Sequence, residues 1–442
     1  MILRQDFFGN ILVKFIFGTM EEGKSKPAAF SRYQKFAIFI LAITQFTVIL
    51  DFMVMNPLGD ILMKSLSLKP SHFGIAVSAY AFSAGISGLL TAGFADKFDR
   101  KKLLLFFYCG FILGTLLCGI AGSYQLLVGA RIITGLFGGV IGSISMAIIA
   151  DLFDLQHRGR VMGFIQMGFS ASQILGIPIG LYIANAWGWH APFLWVAMMA
   201  VIIALLIGFK LKPLTKHLAI QKNQSAMNHL LQTVSKKDYR IGFTATALLS
   251  IGGFMMMPFG AAFAINNLHI TQKQLPIIFI VSGLSTLIIM PLIGKLSDRI
   301  DKYKIFVAAS AAMIIMVLIY TNLGVTPLWG VVGFNVLLMS GIMSRMIPST
   351  ALITGIPAMN DRGAFMSINA SLQQIAGGIA AAFAGMIVVQ KDKFSPLQHY
   401  NTLGYIIICI SMLSVFMMGR VSQIVQKKAM LKKSVQEVPV PV

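Results

Sequence analysis

GFADKFDRKK, residues 93–102, is a charged turn between two long apolar runs. The chain has 442 residues, of which 57% are hydrophobic and only 12% are charged. A second turn, SDRIDKYK, occupies residues 297–304. Aligned on Asp96 and Asp298, both read acid, base, apolar residue, acid, base, any residue, lysine, at a spacing of 202 residues. The two turns are therefore copies within an internal repeat.

Two further pairs of segments support the repeat. DFMVMNPLG (51–59) is similar to GFMMMPFG (253–260), and SASQILG (170–176) is similar to SLQQIAG (371–377) at a spacing of 201 residues. Matches at nearly one spacing indicate two structurally related halves, a common construction in membrane transporters.

Apolar runs fill most of the chain. The mean hydropathy is +0.79, and about 20 apolar residues suffice to cross a bilayer as a helix. We count twelve such runs, at 36–57, 73–94, 103–122, 126–150, 161–186, 193–209, 241–264, 275–293, 305–323, 328–354, 364–389 and 402–419. The sequence predicts an all-α integral membrane protein, with twelve transmembrane helices (spans 1–12) in two pseudo-symmetric six-helix halves.

The polar segments predict the domain boundaries. We expect a cytoplasmic extension at 1–32, a first half at 33–209, a basic linker at 210–240, a second half at 241–420 and a cytoplasmic tail at 421–442. The linker is interpreted as a solvated surface segment or, alternatively, as a lipid-sensing element.

The net charge of +21 reflects membrane orientation and gives no support to nucleic-acid binding. Of the 36 lysines and arginines, 29 fall on one side of the predicted membrane and 5 on the other. Because basic loops favour the cytoplasm, both termini are predicted to be cytoplasmic. The short loops favour a bacterial inner membrane.

Twelve spans with a charged turn after the second helix of each half resemble the major facilitator superfamily, over about residues 33–420. The family writes this turn as Gly-x-x-x-Asp-Arg-x-Gly-Arg-Arg. Here Asp96, Lys97, Arg100, Lys101 and Lys102 match, whereas Ala92 and Asp99 replace the two glycines.

The resemblance implies a conformational gate on the cytoplasmic side. Asp96 would meet the start of span 11 near Arg362, and Asp298 would meet the start of span 5 near Arg158 and Gly159. A carboxylate is stabilised by a helix N-terminus and by nearby cations, so such contacts can form in one state and break in another. The alternative is a solvated turn that only sets orientation.

Asp51 is the one acid well within a span, and Arg131 in span 4 lies at a similar depth. Ionisable groups inside a membrane are costly and need a partner, so the two are predicted to pair. RIITGLFGG (131–139) resembles the arginine pattern of proton-coupled family members, which implies that Arg131 faces the central cavity. Asp51 is then either a proton carrier or part of a permanent structural ion pair.

Arg345 in span 10 has no obvious acidic partner in a neighbouring run. Two interpretations remain open: it binds an anionic group of the substrate, or it donates to backbone carbonyls at the break made by Pro348.

A central cavity is predicted between the halves. Its polar candidates are Gln45, Asn56, Gln373 and Gln374, and its apolar wall is assigned to Phe52, Met53, Met55, Phe254, Met255, Met256 and Met257. Methionine adapts to varied apolar ligands, although lipid-facing or core packing is the alternative for each one.

Span 5 contains GFSASQILGIPIG (168–180), in which Gly168, Gly176 and Gly180 allow close helix approach and Pro178 disturbs the helix. We expect a packing seam between the halves here. The stretch resembles the glycine-proline pattern of antiporting family members, although Ile177 separates Gly176 from Pro178. Antiport is favoured over symport.

The sequence therefore predicts a proton-coupled exporter of small, largely apolar or cationic molecules. The alternatives are a proton-coupled importer of a polar metabolite and, more remotely, a membrane-bound enzyme or a transport-dead sensor. All seven histidines lie in predicted loops or termini, without metal-ligand spacing, so no metal or cofactor is expected. The expected partners are the substrate, protons and lipid, and the chain is expected to be monomeric.

Overall fold

A computed structural model describes residues 30–92, 94–215, 218, 226–358 and 361–436. Most of the predicted extension at 1–32 lies outside these ranges. The chain divides into two compact units, 1–37 and 38–442. In the described part of the first unit, Ser31 and Gln34 cap a helix reciprocally: the Ser31 N–H donates to Gln34 Oε1, and the Gln34 N–H donates to Ser31 Oγ.

The described residues form sixteen α-helices. They are α1 Arg32–Val54, α2 Gly59–Ser65, α3 Pro70–Ala92, α4 Arg100–Gly119, α5 Tyr124–Leu152, α6 Leu155–Ala171, α7 Ile177–Trp187, α8 His190–Lys210, α9 Ala226–Ser235, α10 Lys237–Phe254, α11 Gly260–Asn266, α12 Leu275–Arg299, α13 Lys302–Thr321, α14 Leu328–Thr354, α15 Arg362–Ile387 and α16 Tyr400–Gln436. The only β-type pairing among the described residues is an isolated bridge between Val389 and Gln398.

Eleven membrane-length apolar helices are found among the described residues, one fewer than the predicted spans. The difference lies in the run 241–264, which is divided into α10 and the short α11. Pro258 stands in the break and cannot donate a helical hydrogen bond. Its repeat counterpart, MNPLG at 55–59, likewise separates α1 from α2. The same sequence repeat thus produces the same break twice.

Span 5 is also interrupted. Residues Ser172–Gly176 form a single π-helical turn between α6 and α7. Pro178 follows after Ile177, and its missing N–H favours a local departure from α-helical bonding. Span 5 is therefore loosened where the sequence predicted.

Helices α3 and α15 join the two halves. A Cβ at Gly74 would lie 2.7 Å from the Ala381 carbonyl oxygen, and one at Gly385 would lie 2.9 Å from the Pro70 carbonyl oxygen. Ser78 Oγ also donates to the Gly378 carbonyl oxygen, at 2.8 Å. Only glycine permits this crossing, which lies near the first turns of α3 and the last turns of α15.

Two membrane faces are distinguished below. The linker face carries the loop 94–99, the end of α8 and the start of α10. The opposite face carries α2, α11 and the loops 267–274 and 388–399. The α3–α15 glycine crossing lies toward the opposite face.

Candidate functional site

The predicted pair of Asp51 and Arg131 is present in the structure. Arg131 Nη1 of α5 lies 2.8 Å from Asp51 Oδ2 of α1, and both side chains are fully buried. Thr115 of α4 donates to the other carboxylate oxygen, Asp51 Oδ1, at 3.1 Å. The pair therefore ties three helices of the first half together, because an unpaired charge would be strongly unfavourable there.

Tyr80 of α3 completes this site. The carbon centre of the Arg131 guanidinium lies 4.5 Å from the centroid of the Tyr80 ring, and Tyr80 is itself buried. A cation over an aromatic face is stabilised by the ring quadrupole. Sequence reasoning missed Tyr80, since nothing in the α3 sequence distinguishes it from a packing residue.

A small cavity lies between the halves next to this site. Its volume is about 10 Å³, room for about one water molecule, and it is lined by Phe52, Asn56, Val77, Ala81, Phe254, Met257, Pro258, Gln374, Gly377 and Ala381. Among the residues that the structure describes, none that lines this cavity is charged. Phe52 connects cavity and ion pair, because its ring lies 5.2 Å from the Tyr80 ring and it follows Asp51 in the chain.

The predicted cavity residues divide between wall and core. Asn56 and Gln374 line the cavity, and Asn56 Oδ1 is buried without a hydrogen-bond donor among the described residues. Gln373 is exposed, whereas Gln45 packs near Gly142 within the first half. Of the predicted apolar wall, Phe52, Phe254 and Met257 line the cavity. Met53, Met55 and Met255 are buried outside the cavity lining.

Arg345 lies in neither of its two predicted settings. Its guanidinium donates to Met313 Sδ at 2.9 Å and to Ser414 Oγ at 2.7 Å, and it lies over the Phe306 ring. These partners belong to α13 and α16, so Arg345 points into the interior of the second half and away from the cavity lining. Helix α14 continues through Pro348, and the hydrogen bonds found for Arg345 go to side chains of other helices instead of to its carbonyls.

The glycines of span 5 do not form the predicted seam between halves. Added Cβ atoms at Gly168, Gly176 and Gly180 would meet α1, at Phe46, Leu50 and Val54 respectively. These contacts lie inside the first half. Span 5 does pack against the second half, but through other residues: α12 contacts α6, α7 and the π turn between them, where Ile174 meets Gly283. The glycine spacing alone could not predict which neighbouring helix these glycines meet.

The charged turn at 94–102 holds the start of the linker. Asp99 Oδ1 accepts hydrogen bonds from the Lys101 N–H at 2.9 Å, which caps α4, and from the Leu214 N–H at 3.0 Å. Arg100 N–H donates to the Leu214 carbonyl oxygen, and Lys101 Nζ donates to the Gly208 carbonyl oxygen. Arg100 Nε also pairs with Asp151 at 3.0 Å. The acid that replaces the family glycine thus has a role in anchoring the linker.

The other gate predictions remain predictions. The side chain of Asp96 lies outside the described part of the chain. Arg362 begins α15 and is exposed, and Asp298 is exposed near the end of α12. Arg158 donates to the carbonyl oxygens of Phe153 and Ala150 at the end of α5, rather than to Asp298.

Asp361, directly before Arg362, gathers a cluster that the sequence did not predict. Its carboxylate accepts from Tyr239 Oη at 2.7 Å, from His229 Nε2 at 3.1 Å and from Lys236 Nζ. Hydrogen bonds from Lys236 and then from Tyr239 and His229 hold the pKa of Asp361 well below its usual range. The cluster docks the linker helix α9 and the start of α10 against α15.

Known proteins identify the family. A model of the Major Facilitator Superfamily matches residues 41–381 and, in a second match, residues 242–430. The chain belongs to this superfamily. The family assignment predicted from the charged turns is confirmed, and with it transport of small molecules by a multi-pass membrane protein.

Relatives are distant in sequence but cover much of the chain. An uncharacterized MFS-type transporter of Bacillus subtilis (strain 168), YceJ, is 22% identical over 84% of this chain and 94% of its own length. Multidrug resistance protein 2 of the same organism is 26% identical over 61% of this chain and 68% of its own length. A probable sugar efflux transporter of Helicobacter pylori (strain G27) is 28% identical over 41% of this chain and 47% of its own length.

Solved transporters share the fold. A bacterial homolog of the human lysosomal transporter Spinster superposes with a TM-score of 0.72 at 13% identity, over 90% of this chain and 99% of its own. A D-xylose–proton symporter superposes with a TM-score of 0.73 at 17% identity, over 87% of this chain and 97% of its own. The predicted fold class, twelve helices in two six-helix halves, is confirmed.

Proposed function

We propose that this superfamily member exports small, mostly apolar molecules in exchange for protons. The observation that carries the proposal is the buried Asp51–Arg131 pair. The rings of Phe52 and Tyr80 separate this pair from the uncharged cavity between the halves. A carboxylate whose partner can be withdrawn is the simplest proton carrier inside a membrane.

The cavity lining supports an apolar substrate. Phe52 and Phe254 stand edge to face with ring centroids 6.1 Å apart, and Met257 lies beside them. Such a wall favours flat or aromatic molecules. Because the lining has no carboxylate, a neutral molecule is preferred to a cation. The unpaired Asn56 Oδ1 would accept one hydrogen bond from the substrate.

Coupling follows from the contact between Phe52 and Tyr80. A molecule that displaces the Phe52 ring displaces the neighbour of Tyr80, whose ring covers the Arg131 guanidinium. Weakening the hold of Arg131 on Asp51 favours protonation of Asp51, and restoring it favours release of the proton. Alternating access of the two halves would expose Asp51 to each side in turn.

The positive charge of the linker face supports its placement in the cytoplasm, with both termini there and transport outward across a bacterial inner membrane. A proton-coupled importer of a polar metabolite is the second candidate. It is favoured by the two amides, Asn56 and Gln374, that line the cavity. A monomer suffices for either function.

Transport driven by an imposed pH gradient tests the proposal and separates the candidates. Purified protein in liposomes is offered neutral aromatic compounds, cationic drugs, sugars and organic acids, with the interior either acidic or alkaline. An antiporter accumulates its substrate in the acidic compartment, whichever way the protein is inserted, whereas a symporter accumulates it in the alkaline one. Protein-free liposomes correct for passive trapping of weak bases and acids. Accumulation on the alkaline side would refute export by exchange.

A further inference from the structure

Another buried carboxylate lies at the opposite face, outside the Asp51 and Asp361 sites described above. Asp60 in α2 is only 1% exposed. Its Oδ1 accepts from Asn266 Nδ2 at 2.7 Å, and its Oδ2 accepts from Gln272 Nε2 at 2.7 Å and from Lys64 Nζ at 2.8 Å. These four residues are called the Asp60 cluster.

The Asp60 cluster crosses between the halves. Asp60 and Lys64 belong to the first half, whereas Asn266 ends α11 and Gln272 lies in the following loop of the second half. Two further contacts cross in the same place: Lys64 Nζ lies 3.3 Å from Asn266 Oδ1, and Asn185 Nδ2 donates to the Gln272 carbonyl oxygen at 3.4 Å. The hydrogen bonds of one carboxylate thus join the two halves directly.

The hydrogen bonds of Asp60 are complete only while the two halves are in contact at this face. A buried carboxylate needs hydrogen-bond donors, and donors that serve a charged acceptor contribute more than neutral pairs. If the halves separate at this face, Asp60 loses two of its three donors and retains only Lys64 on its own helix. Asn266 is 8% exposed and would lose this charged acceptor at the same time, keeping only the Ala262 carbonyl oxygen of its own helix.

We propose that Asp60 is the latch that holds the two halves closed at the opposite face, with Asn266 and Gln272 as its receiving groups. The latch works together with the glycine crossing of α3 and α15, which brings the helices into contact at the same end of the membrane. It rests on alternating access of the two halves, as in the proposed function, but it does not depend on proton coupling or on the substrate.

The chain provides a matched control in Asn267, the neighbour of Asn266. Asn267 Nδ2 donates to the Leu397 carbonyl oxygen and its Oδ1 accepts from the Leu397 N–H, both at 2.9 Å and both within the second half. Asn266→Ala and Asn267→Ala therefore remove the same amide from adjacent positions, but only the first breaks a contact between halves.

Spin-label distances across the opposite face test the latch. In a background without Cys109, Cys118 and Cys409, labels are placed on the exposed positions Lys69→Cys and Val325→Cys, one in each half. Losing one hydrogen bond to a charged group is expected to raise the ratio of separated to closed molecules about tenfold. Asp60→Ala and Asn266→Ala should each add a longer-distance population, and Asn267→Ala should retain the parental distribution.

Each result of the distance measurements either supports or overturns the latch. Unchanged distances in Asp60→Ala, or equal changes in Asn266→Ala and Asn267→Ala, would overturn the latch. If Asp60→Ala fails to fold, Gln272→Ala removes one donor from a partly exposed position and must still lengthen the distance. Because the labels report geometry and not transport, a lengthened distance in a protein that moves no protons would support the latch while refuting the proposed function.

Discussion

At the scale of single residues, the buried Asp51–Arg131 pair gives a prediction about stability. Arg131→Met leaves a fully buried carboxylate without its cation, which costs about 3–5 kcal/mol when a buried ion pair is broken. We expect this variant to unfold at a markedly lower temperature in detergent. The double variant Asp51→Asn/Arg131→Met, which leaves no unpaired charge, should recover most of the loss. A double variant as unstable as Arg131→Met would contradict the buried pair.

Tyr80 gives a second prediction at this scale. Tyr80→Leu removes the ring that covers Arg131, whereas Tyr80→Phe retains it. A cation–π contact away from water contributes up to about 2 kcal/mol, so the Leu variant should be the less stable one and should lose substrate-driven proton movement. Thermal unfolding and liposome transport check the two effects. Equal behaviour of the Leu and Phe variants would remove Tyr80 from the coupling route.

The sequence identified Asp51 and Arg131 as candidates for this site, but it did not identify Tyr80. Asp51 and Arg131 were identifiable because charges are rare and costly inside a membrane, and their similar depth made pairing plausible. Tyr80, Asp60 and Asp361 were missed for a different reason. Each owes its role to residues far away in the chain, and Asp60 and Asp361 lie at predicted loop edges, where acids are common.

At the scale of elements, the crossing of α3 and α15 depends on Gly74. A Cβ there would lie 2.7 Å from a backbone oxygen, so Gly74→Ala forces the helices apart. Overpacking of this kind costs about 1–3 kcal/mol. We expect slower transport and a longer distance between the halves at the opposite face. Gly129→Ala in α5 is the matched control, because nothing lies within 4 Å of its added Cβ. Equal effects of both variants would contradict the crossing.

The docking of linker helix α9 gives the pH prediction. Because the pKa of Asp361 is depressed in the folded state, its contribution to stability is present above its ordinary pKa and is lost only as the pH falls through the depressed value. Asp361→Ala should therefore lower the unfolding temperature throughout the neutral range. Of the three donors only Tyr239 is buried, whereas Lys236 and His229 reach solvent, so the loss is about 1–3 kcal/mol for one unsatisfied buried donor.

The control for Asp361 is Asp238→Ala. Asp238 pairs with Lys428 at 3.2 Å, but both side chains are well exposed, so the pair contributes about 0–1 kcal/mol. Thermal unfolding at pH 6 and pH 8 compares the two variants. An Asp361 effect that vanished at either pH, or that only matched the Asp238 effect, would contradict the docking.

The sequence pattern predicted where the helices lie and where they break, but not which of their faces are in contact. Hydropathy located eleven of the twelve spans as membrane-length helices, and the prolines explained the break in span 7 and the π turn in span 5. The pattern could not show which faces of the helices meet. Glycines that were expected to contact the other half instead pack on α1.

At the scale of the whole molecule, the repeat was the strongest predictor. Two copies of a charged turn and two further pairs of similar segments indicated two related halves, and the superfamily match and the solved relatives confirm that fold. The halves are not equal in chemistry. The first holds a paired Asp51 and Arg131, whereas the second buries Arg345 against a serine and a methionine. This asymmetry places the proposed coupling site in the first half alone.

The measurement that tests proton exchange most directly is proton movement on addition of substrate, without an imposed pH gradient. Liposomes containing the protein carry a pH-sensitive dye inside and receive a compound that the accumulation assay has shown to be transported. As the compound enters, we expect protons to leave and the interior to become alkaline. Asp51→Asn should abolish this change while still exchanging labelled for unlabelled compound. An interior that acidifies would contradict proton exchange. An Asp51→Asn protein that moves protons like the parent would contradict the role of Asp51 as the proton carrier.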